Sequence, residues 1–315
     1  MQTVNYRLID KSFIKEGVKL PFKIYKHDTS DDSYYPVFFR NKAVSELEWK
    51  QFRKVDLYIT SSDEEIYENY AVTHMTAETT QDFKTFIAKS KLMLQKAEHI
   101  MHSIFSHPEA AENLPQVNGV VDDLIVTILD KEFSITSLIE LTAADYDIHT
   151  HTINVSIYAL SLGKYLKLAE KDLHQLGIAA LIHDLGKSKI RADVINKQGK
   201  LTSYEFEYMK RHPKLSHDIA SKMGITDEKI LYAIKHHREN IDGTGYPDHI
   251  RAGQISLFAR ILSICDTFDA ITSKRSYKEP ISTFDTLQMM KKKMNHQLDE
   301  RLLNSFIMMM HVSKS

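Results

Sequence analysis

The stretch of sequence that decides the fold of this chain is Leu181-Ile182-His183-Asp184-Leu185-Gly186-Lys187. It places an imidazole and a carboxylate side by side inside an apolar pattern that is typical of a helix. Burying such groups costs several kcal/mol unless a partner satisfies them, and a divalent metal ion can satisfy both. Further histidines at 151, 212 and 236–237 offer additional ligands. The stretch therefore predicts a metal site within a helical domain.

The composition is that of an ordinary folded protein with almost no net charge. The 315 residues are 43% hydrophobic and 26% charged, and the formal net charge is −1. We therefore expect no broad attraction for nucleic acid or membranes, and any anionic ligand must be held locally by metal, Lys and Arg. The single Cys265 excludes an intrachain disulfide framework and predicts a cytoplasmic location. No apolar run approaches the ~18 residues of a membrane-spanning helix, and residues 1–7 lack the apolar core of a signal peptide.

The hydrophobic pattern predicts three parts and a mainly α fold. Residues 1–75 form a small α+β module of regulatory or sensor-like character, with a helix at 45–53. Residues 76–140 form a helical linker, and residues 141–315 form an all-α helical bundle, so that we place the domain boundary near 140. The predicted strands of the first module are 6–9, 22–25, 37–39 and 55–59.

Three helix predictions rest on local patterns. The helix at 79–105 carries one apolar stripe, which fits either an intramolecular packing face or a homodimer interface. A second amphipathic helix follows at 117–128. Thr202 and Glu205 form a capping-box pattern that begins the helix leading to His212.

Four further segments place metal-binding side chains on or beside helices. His151 opens a predicted helix, His212 ends one, and Asp266 interrupts an apolar helix face. The pair at 236–237 directly precedes a Gly-rich loop. Together with the His183-Asp184 pair, these buried polar groups are costly unless they share a metal centre.

Helical geometry predicts how the central pair would bind metal. Adjacent helical residues point about 100° apart, so His183 and Asp184 suit a two-metal site in which Asp184 bridges through both oxygens. Lys187, one turn further on the same helical side, can reach a phosphate bound there. Mixed His and carboxylate ligands favour Fe, Mn or Zn over Ca or Mg. Two such ions would supply a hydroxide and hold the oxygens of a phosphoryl group during in-line displacement.

From about residue 141 to 310 the chain resembles the HD-GYP family, a branch of the HD-domain metal-dependent phosphohydrolases. The motifs that carry this resemblance are 146–152, His183-Asp184-Leu185-Gly186-Lys187, 196–202, His212-Pro213, Asp242-Gly243-Thr244-Gly245-Tyr246-Pro247 and 265–277. The resemblance implies an all-α bundle with two or three metal ions, usually iron or manganese. It further implies hydrolysis of the bacterial second messenger cyclic di-GMP to pGpG or GMP.

The resemblance also implies roles for individual residues. The implied metal ligands are His151, His183, Asp184, His212, His236 or His237, and Asp266. Asp184 and Lys187 are the implied catalytic residues, with Lys187 on the scissile phosphate. The implied substrate contacts are Lys187, Gly243, Gly245, Tyr246, Pro247 and Arg275. Diguanylate cyclase (GGDEF) proteins are the implied partners of the Gly-Tyr-Pro loop.

The chain departs from the family pattern at two places. The family shows His-His-Glu, two residues and then Asp-Gly; here an ungapped alignment puts His237 at the first His and Arg238 at the second. Keeping the pair 236–237 as the two histidines requires one inserted residue, and we favour the ungapped alignment because loops beside metal ligands tolerate altered spacing poorly. Arg238 would then lie near one ion or bind substrate phosphate. Asp147, the candidate third-metal ligand, is one methylene shorter than the family's Glu, so we expect two ions.

These observations lead to one main hypothesis and two alternatives. The main hypothesis is a binuclear phosphodiesterase in which a metal-bridging hydroxide attacks cyclic di-GMP, with Lys187, Tyr246 or a water protonating the leaving oxygen. The first alternative, favoured by Arg238, is a catalytically weak module that binds metal, cyclic di-GMP or a diguanylate cyclase. The second is hydrolysis of another nucleotide. We expect residues 1–75 to regulate access to the site through the helix at 79–105.

Overall fold

The structure is a computed structural model, and it falls into two compact units. One unit lies within residues 1–86 and 310–315, and the other lies within 87–309. The division comes at 86 and joins residues 87–129 of the predicted linker to the helical bundle, while the three-part domain scheme stays a prediction. The residues that the structure describes are 6–9, 14, 16–28, 31, 33–52, 54–63, 66–67, 70, 77–110, 112–130, 147–195, 197, 199–273 and 281–312.

The first unit contains a four-stranded antiparallel sheet with the strand order β1-β4-β2-β3. Its elements are β1 (Tyr6–Leu8), β2 (Ile24–Asp28), β3 (Ser33–Phe38), α1 (Glu46–Phe52) and β4 (Leu57–Thr60). Each predicted strand overlaps one of these, although β3 begins at Ser33, four residues before the predicted strand at 37–39. Leu57 and Ile59 alternate along β4 and are both buried in the core of this unit.

The second unit consists of helices joined by turns and loops, with no strand among its described residues. Its elements, with the helices that enter and leave it, are α2 (Ala77–Ser106), α3 (Asn113–Leu129), α4 (Ile148–Tyr165), α5 (Glu170–Ile182), α6 (Ala192–Ile195), α7 (Ser203–Met209), α8 (His212–Lys222), α9 (Glu228–His236), α10 (Leu257–Thr272), α11 (Thr283–Lys293) and α12 (Glu300–Val312). The predicted fold class, a mainly α chain with a small N-terminal α+β module, is confirmed.

The helix α4 lies at the centre of the bundle. Every residue from His151 to Gly163 is buried, because α5 and α10 pack on α4 and α3 packs on both α4 and α5. The helix α9 in turn packs on α5 and α10. This packing brings the ends of several helices to one place.

The prediction that His183 and Asp184 lie inside a helix is wrong. The helix α5 ends at Ile182, His183 caps it, and Asp184 has φ −101° and ψ 6° before a short 3-10 turn over Leu185–Lys189. Both side chains nevertheless reach the same place, since Nε2 of His183 lies 3.4 Å from Oδ2 of Asp184.

Two other local predictions have different outcomes. The capping box is present: the Thr202 hydroxyl accepts from the Glu205 N–H, and the Glu205 carboxylate accepts from the Thr202 N–H. His212, by contrast, begins α8 instead of ending the preceding helix. Pro213 in the first turn explains this, since its missing N–H is tolerated only at a helix start.

The apolar stripe of α2 is buried in its C-terminal half, where Leu94, Ala97, Met101, Ile104 and Phe105 are each at most 9% exposed. This agrees with the intramolecular interpretation of the stripe. Among the described residues, no helix combines the length and the apolar composition that crossing a bilayer requires.

Candidate metal centre

Six buried side chains from five segments meet at one place in the second unit, which we call the metal centre. They are His151 in the first turn of α4, His183 and Asp184 after α5, His212 at the start of α8, His237 after α9 and Asp266 in α10. Their ligand atoms form two groups, within each of which all atoms lie within 4.8 Å of one another. The first group is His151, His183, Asp184 and Asp266, and the second is Asp184, His212 and His237.

Asp184 belongs to both groups and faces each with a different oxygen. Its Oδ2 lies 3.4 Å from Nε2 of His151 and 3.4 Å from Nε2 of His183. Its Oδ1 lies 3.2 Å from Nε2 of His212 and 3.7 Å from Nε2 of His237. The carboxylate therefore lies between the two groups, as a bridging ligand would.

Backbone carbonyls fix the tautomers of three of these histidines. The Nδ1 atoms of His183, His212 and His237 lie 2.6, 2.8 and 2.7 Å from carbonyl oxygens three residues earlier. Because a carbonyl can only accept, each Nδ1 must carry the proton. Each neutral ring then presents the lone pair of Nε2 to the metal centre.

Burial keeps two of these rings neutral. It lowers the pKa of His212 and lowers that of His237 well below its usual range, where the neighbouring Arg238 guanidinium acts in the same direction. Burial alone would raise the pKa of Asp184, but the Lys187 ammonium group holds this pKa well below its usual range. The centre thus combines neutral imidazoles with an ionised carboxylate at neutral pH, which is the protonation state that metal binding needs.

The donor set fits divalent metal ions. Nε2 of His183 and Oδ1 of Asp184 are buried without a hydrogen bond among the described residues. The nearby Nε2 of His212 cannot donate to that oxygen, because its ring proton is on Nδ1. Two ligands about 2.1 Å from one ion lie roughly 3.0–3.4 Å apart, which matches most of the separations around Asp184.

Asp269, which was not among the residues predicted from the sequence, contacts the His151 ring. Its Oδ2 lies 2.6 Å from Nδ1 of His151, and its Oδ1 accepts from Nδ2 of Asn154 at 3.0 Å. Both Asp269 and Asn154 are buried. A carboxylate behind a metal-binding imidazole fixes the ring and raises its basicity. The signal was present in the sequence, since Asp269 lies one helical turn after Asp266 on the same face of α10.

The structure brings His237, and not His236, to the metal centre. Nε2 of His236 lies 2.9 Å from Oδ2 of Asp248, on the other side of the end of α9. Arg238 donates to Asp266, with Nη2 at 2.8 Å from Oδ2 and 3.1 Å from Oδ1. This arrangement corresponds to the ungapped alignment, with a guanidinium beside the first ligand group.

The loop at 242–247, which we call the signature loop, is held against the centre. A Cβ on Gly245 would overlap the backbone of Glu239 and Asn240, so this close approach requires glycine. The Tyr246 N–H donates to the Arg238 carbonyl at 3.0 Å, and the Tyr246 ring centroid lies 6.1 Å from that of His212. Glu239 is buried and accepts from the Asp248 N–H at 2.6 Å, which holds the chain beyond the loop.

The remaining predicted residues have varied positions. Lys187 forms an ion pair with Asp184, and its side chain is 14% exposed. Gly243 has a φ of 83°, within the signature loop. Asp147 caps α4 by accepting from the His149 N–H at 2.8 Å and belongs to neither ligand group. Arg275 lies outside the described residues.

Comparison with known proteins assigns the family. Residues 131–302, more than half of the chain, match the family model described as HD domain. The chain belongs to the HD domain family. The resemblance derived from the sequence motifs is thereby confirmed, and its paired His183 and Asp184 lie at the metal centre of this HD domain.

Two relatives of this HD domain protein are named cyclic di-GMP phosphodiesterases. PA4108 of Pseudomonas aeruginosa is 29% identical over 223 residues, which cover 70% of this chain and 54% of that protein. The response regulator RpfG of Xanthomonas campestris pv. campestris is 40% identical over 120 residues, which cover 38% of this chain and 32% of that protein. The chain thus spans between a third and about half of the length of these curated relatives.

One solved structure shares the fold over nearly the whole chain. It is Bd1817, titled an HDG"Y"P protein from Bdellovibrio bacteriovorus, with a TM-score of 0.62 and 17% sequence identity. The match covers 96% of this chain and 98% of that one. At this identity the likeness shows the fold alone.

Proposed function

We propose that this HD domain protein is a metal-dependent phosphodiesterase that hydrolyses cyclic di-GMP to pGpG or GMP. The observation that carries the proposal is the Asp184 carboxylate, which faces one ligand group with each oxygen. Two ions held by one bridging carboxylate form the arrangement that hydrolyses phosphate esters. The names of the relatives from Pseudomonas aeruginosa and Xanthomonas campestris support cyclic di-GMP as the substrate.

We propose two divalent ions, iron or else manganese, because mixed His and carboxylate ligands suit these metals. One ion would be held by the first ligand group and one by the second, with Asp184 shared. When bound, they would supply a nucleophile derived from water at neutral pH and neutralise the phosphoryl oxygens.

The chain itself supplies cations and a proton carrier beside the metal ligands. Lys187 is close enough to pair with Asp184, so its ammonium group can hold an oxygen of the scissile phosphate. Arg238 brings a second cation to the side of Asp266. Burial raises the pKa of Tyr246, so its hydroxyl keeps its proton at neutral pH and can donate to the substrate. We propose Lys187, Arg238 and the signature loop as the substrate-binding residues.

The test is elemental analysis of anaerobically purified protein, paired with a cyclic di-GMP cleavage assay. We expect about two ions per chain and release of pGpG or GMP. Asp184→Asn should lose both metal and activity, while Asp172→Asn, on a partly exposed carboxylate paired with Lys229, should keep both. Metal-loaded wild-type protein that cleaves neither cyclic di-GMP, pGpG nor simple phosphodiesters would overturn the catalytic proposal.

A second candidate function is a catalytically weak module that binds metal and cyclic di-GMP. The observation that favours it is the ion pair between Arg238 and Asp266, which engages a ligand of the first group. This candidate predicts bound metal and measurable cyclic di-GMP affinity without release of pGpG. The paired assay described above separates the two functions.

The sequence also led to predictions about a partner, regulation, location and dimerisation, which we retain as proposals. We propose that GGDEF proteins bind the signature loop and that residues 1–75 regulate the site, in a protein located in the cytoplasm. A co-purification assay with a GGDEF protein, comparing wild type with Tyr246→Ala, tests the first. Deletion of residues 1–75 tests the second, and unchanged activity and oligomeric state would contradict it. Dimerisation through the helix at 79–105 can be measured by light scattering on the same samples.

A further inference from the structure

A cleft of about 450 Å³ lies beside the metal centre, between the start of α8 and the end of the signature loop. Tyr246, Pro247 and Leu215 contribute its aromatic and apolar lining, and Lys210, Arg211 and Lys214 contribute cations. Pockets of this size accommodate small organic ligands. The mechanism described above uses none of these three cations.

The cleft and the metal centre share a wall. The Tyr246 ring lines the cleft, and its centroid lies 6.1 Å from that of the His212 ring in the second ligand group. On the cleft side, Nζ of Lys210 lies 5.9 Å from the centroid of the Tyr246 ring. The cleft therefore lies next to the second ligand group, within the span of a ligand that is longer than one phosphate.

The charge of the cleft favours an anion. Lys210 pairs with Glu207 at 2.6 Å, which leaves Arg211 and Lys214 against the single carboxylate of Asp218. Within the described part of the chain, no ion pair engages Arg211 or Lys214. Both lie at the N-terminal end of α8, where the helix dipole adds to their positive field. The chain as a whole carries a net charge of −1, so this attraction is local.

We infer that the cleft binds the second nucleotide half of the substrate, a purine nucleoside phosphate, while the first half is cleaved at the metal centre. Lys214 and Arg211 would hold the phosphate that is not cleaved, and Tyr246 with Pro247 would contact the base. Proteins commonly bind nucleotides without base specificity by stacking the bases on aromatic side chains and holding the phosphates with Lys and Arg side chains. The inference rests on the proposed function, since it assigns a subsite to that substrate.

The test compares a long and a short substrate in the full-length protein. Lys214→Ala should raise both the KM and the Kd for cyclic di-GMP about tenfold, the effect of losing a hydrogen bond to a charged group, with little change in kcat. Hydrolysis of bis-(p-nitrophenyl) phosphate should be unchanged, because this diester carries one phosphate only. Asp218→Asn should change the Kd in the opposite direction, since it removes the opposing charge.

The matched control is Lys222→Ala, which removes the same side chain from the last turn of α8, where Lys222 pairs with exposed Glu109. Lys222→Ala should leave the KM and Kd for cyclic di-GMP and the hydrolysis of bis-(p-nitrophenyl) phosphate unchanged. If Lys214→Ala leaves the Kd and KM for cyclic di-GMP unchanged, or lowers turnover of both substrates equally, the subsite is overturned while the proposed function stands. Wild-type protein that neither binds nor cleaves cyclic di-GMP overturns both.

Discussion

At the scale of single residues, the metal centre depends on groups that are not ligands themselves. Three backbone carbonyls decide which nitrogen of His183, His212 and His237 carries the proton. Asp269 does the same for His151, with its own position fixed by Asn154. The lone pairs therefore point into the centre before any ligand binds, which lowers the entropic cost of binding.

Asp269→Asn should weaken metal binding about 10- to 100-fold, because the His151 ring loses the negative charge that orients it and raises its basicity. Titration of metal-depleted protein with Mn²⁺ measures the Kd for the metal. The control is Asp172→Asn, which changes a partly exposed carboxylate in an ion pair with Lys229. An unchanged Kd in Asp269→Asn would show that the contact with His151 does not contribute to metal affinity.

At the scale of elements, the centre is built where helices end. Ile182 is the last residue of α5, and the 3-10 turn that follows lies against α8. The Gly186 N–H donates to the Ser216 hydroxyl at 2.8 Å, and a Cβ on Gly186 would overlap the backbone of His212 and Ser216. Contact between the two backbones thus sets the distance between Asp184 and His212.

Gly186→Ala should destabilise the protein by about 1–3 kcal/mol, the usual cost of overpacking a filled interior, and should also lower its metal content. Urea unfolding and elemental analysis measure the two effects. Gly119→Ala is the matched control: it lies in α3 with open space around the added Cβ, so it should stabilise by about 0.5–1 kcal/mol. Equal effects of the two substitutions would contradict the close contact.

The capping box of α7 makes a pH-dependent contribution to stability. Hydrogen bonds from Lys197 and from Thr202 lower the pKa of Glu205 from 4.5 to about 2. Because the folded-state pKa is the lower one, this stabilisation is fully present above pH 4.5 and is lost as the pH falls toward 2.

The free energy of unfolding of wild type should therefore exceed that of Glu205→Gln at neutral pH, and the difference should shrink below about pH 4.5. Urea unfolding of both proteins over a pH series measures this difference. Thr202→Ala should cost about 0.5–2 kcal/mol at neutral pH. A difference between wild type and Glu205→Gln that grows on acidification would contradict the assignment.

At the scale of the whole molecule, the candidate metal centre joins segments that are far apart in the chain. Five segments from residue 151 to residue 266 contribute candidate ligands to it. An ion that binds only the folded chain must therefore stabilise the arrangement of all five.

Removal of metal by a chelator should lower the Tm, because an ion present at 100 times its Kd contributes about 2.7 kcal/mol. Adding Mn²⁺ back should restore the Tm, whereas Ca²⁺ should not, since it prefers oxygen ligands. Thermal unfolding followed by circular dichroism measures the shift. A Tm that does not respond to chelation or to Mn²⁺ would contradict a metal centre in the folded protein.

The sequence by itself determined the helical fold class, the family and most of the candidate ligands. The period of the apolar residues predicted the helices, and Asp266 was visible as an interruption of an apolar face. Local chemistry also predicted the capping box at Thr202, because a cap depends on residues within one turn. These features are local, so the sequence carries them directly.

Only the tertiary structure decided how these residues meet. The helix α5 ends at Ile182, which the apolar run conceals, and the His183 and Asp184 that follow it lie at one centre. The choice of His237 over His236 depends on where α9 ends, and the role of Asp269 depends on α4 packing against α10. Each of these outcomes rests on contacts between segments far apart in the chain, and periodicity within one segment carries no information about them.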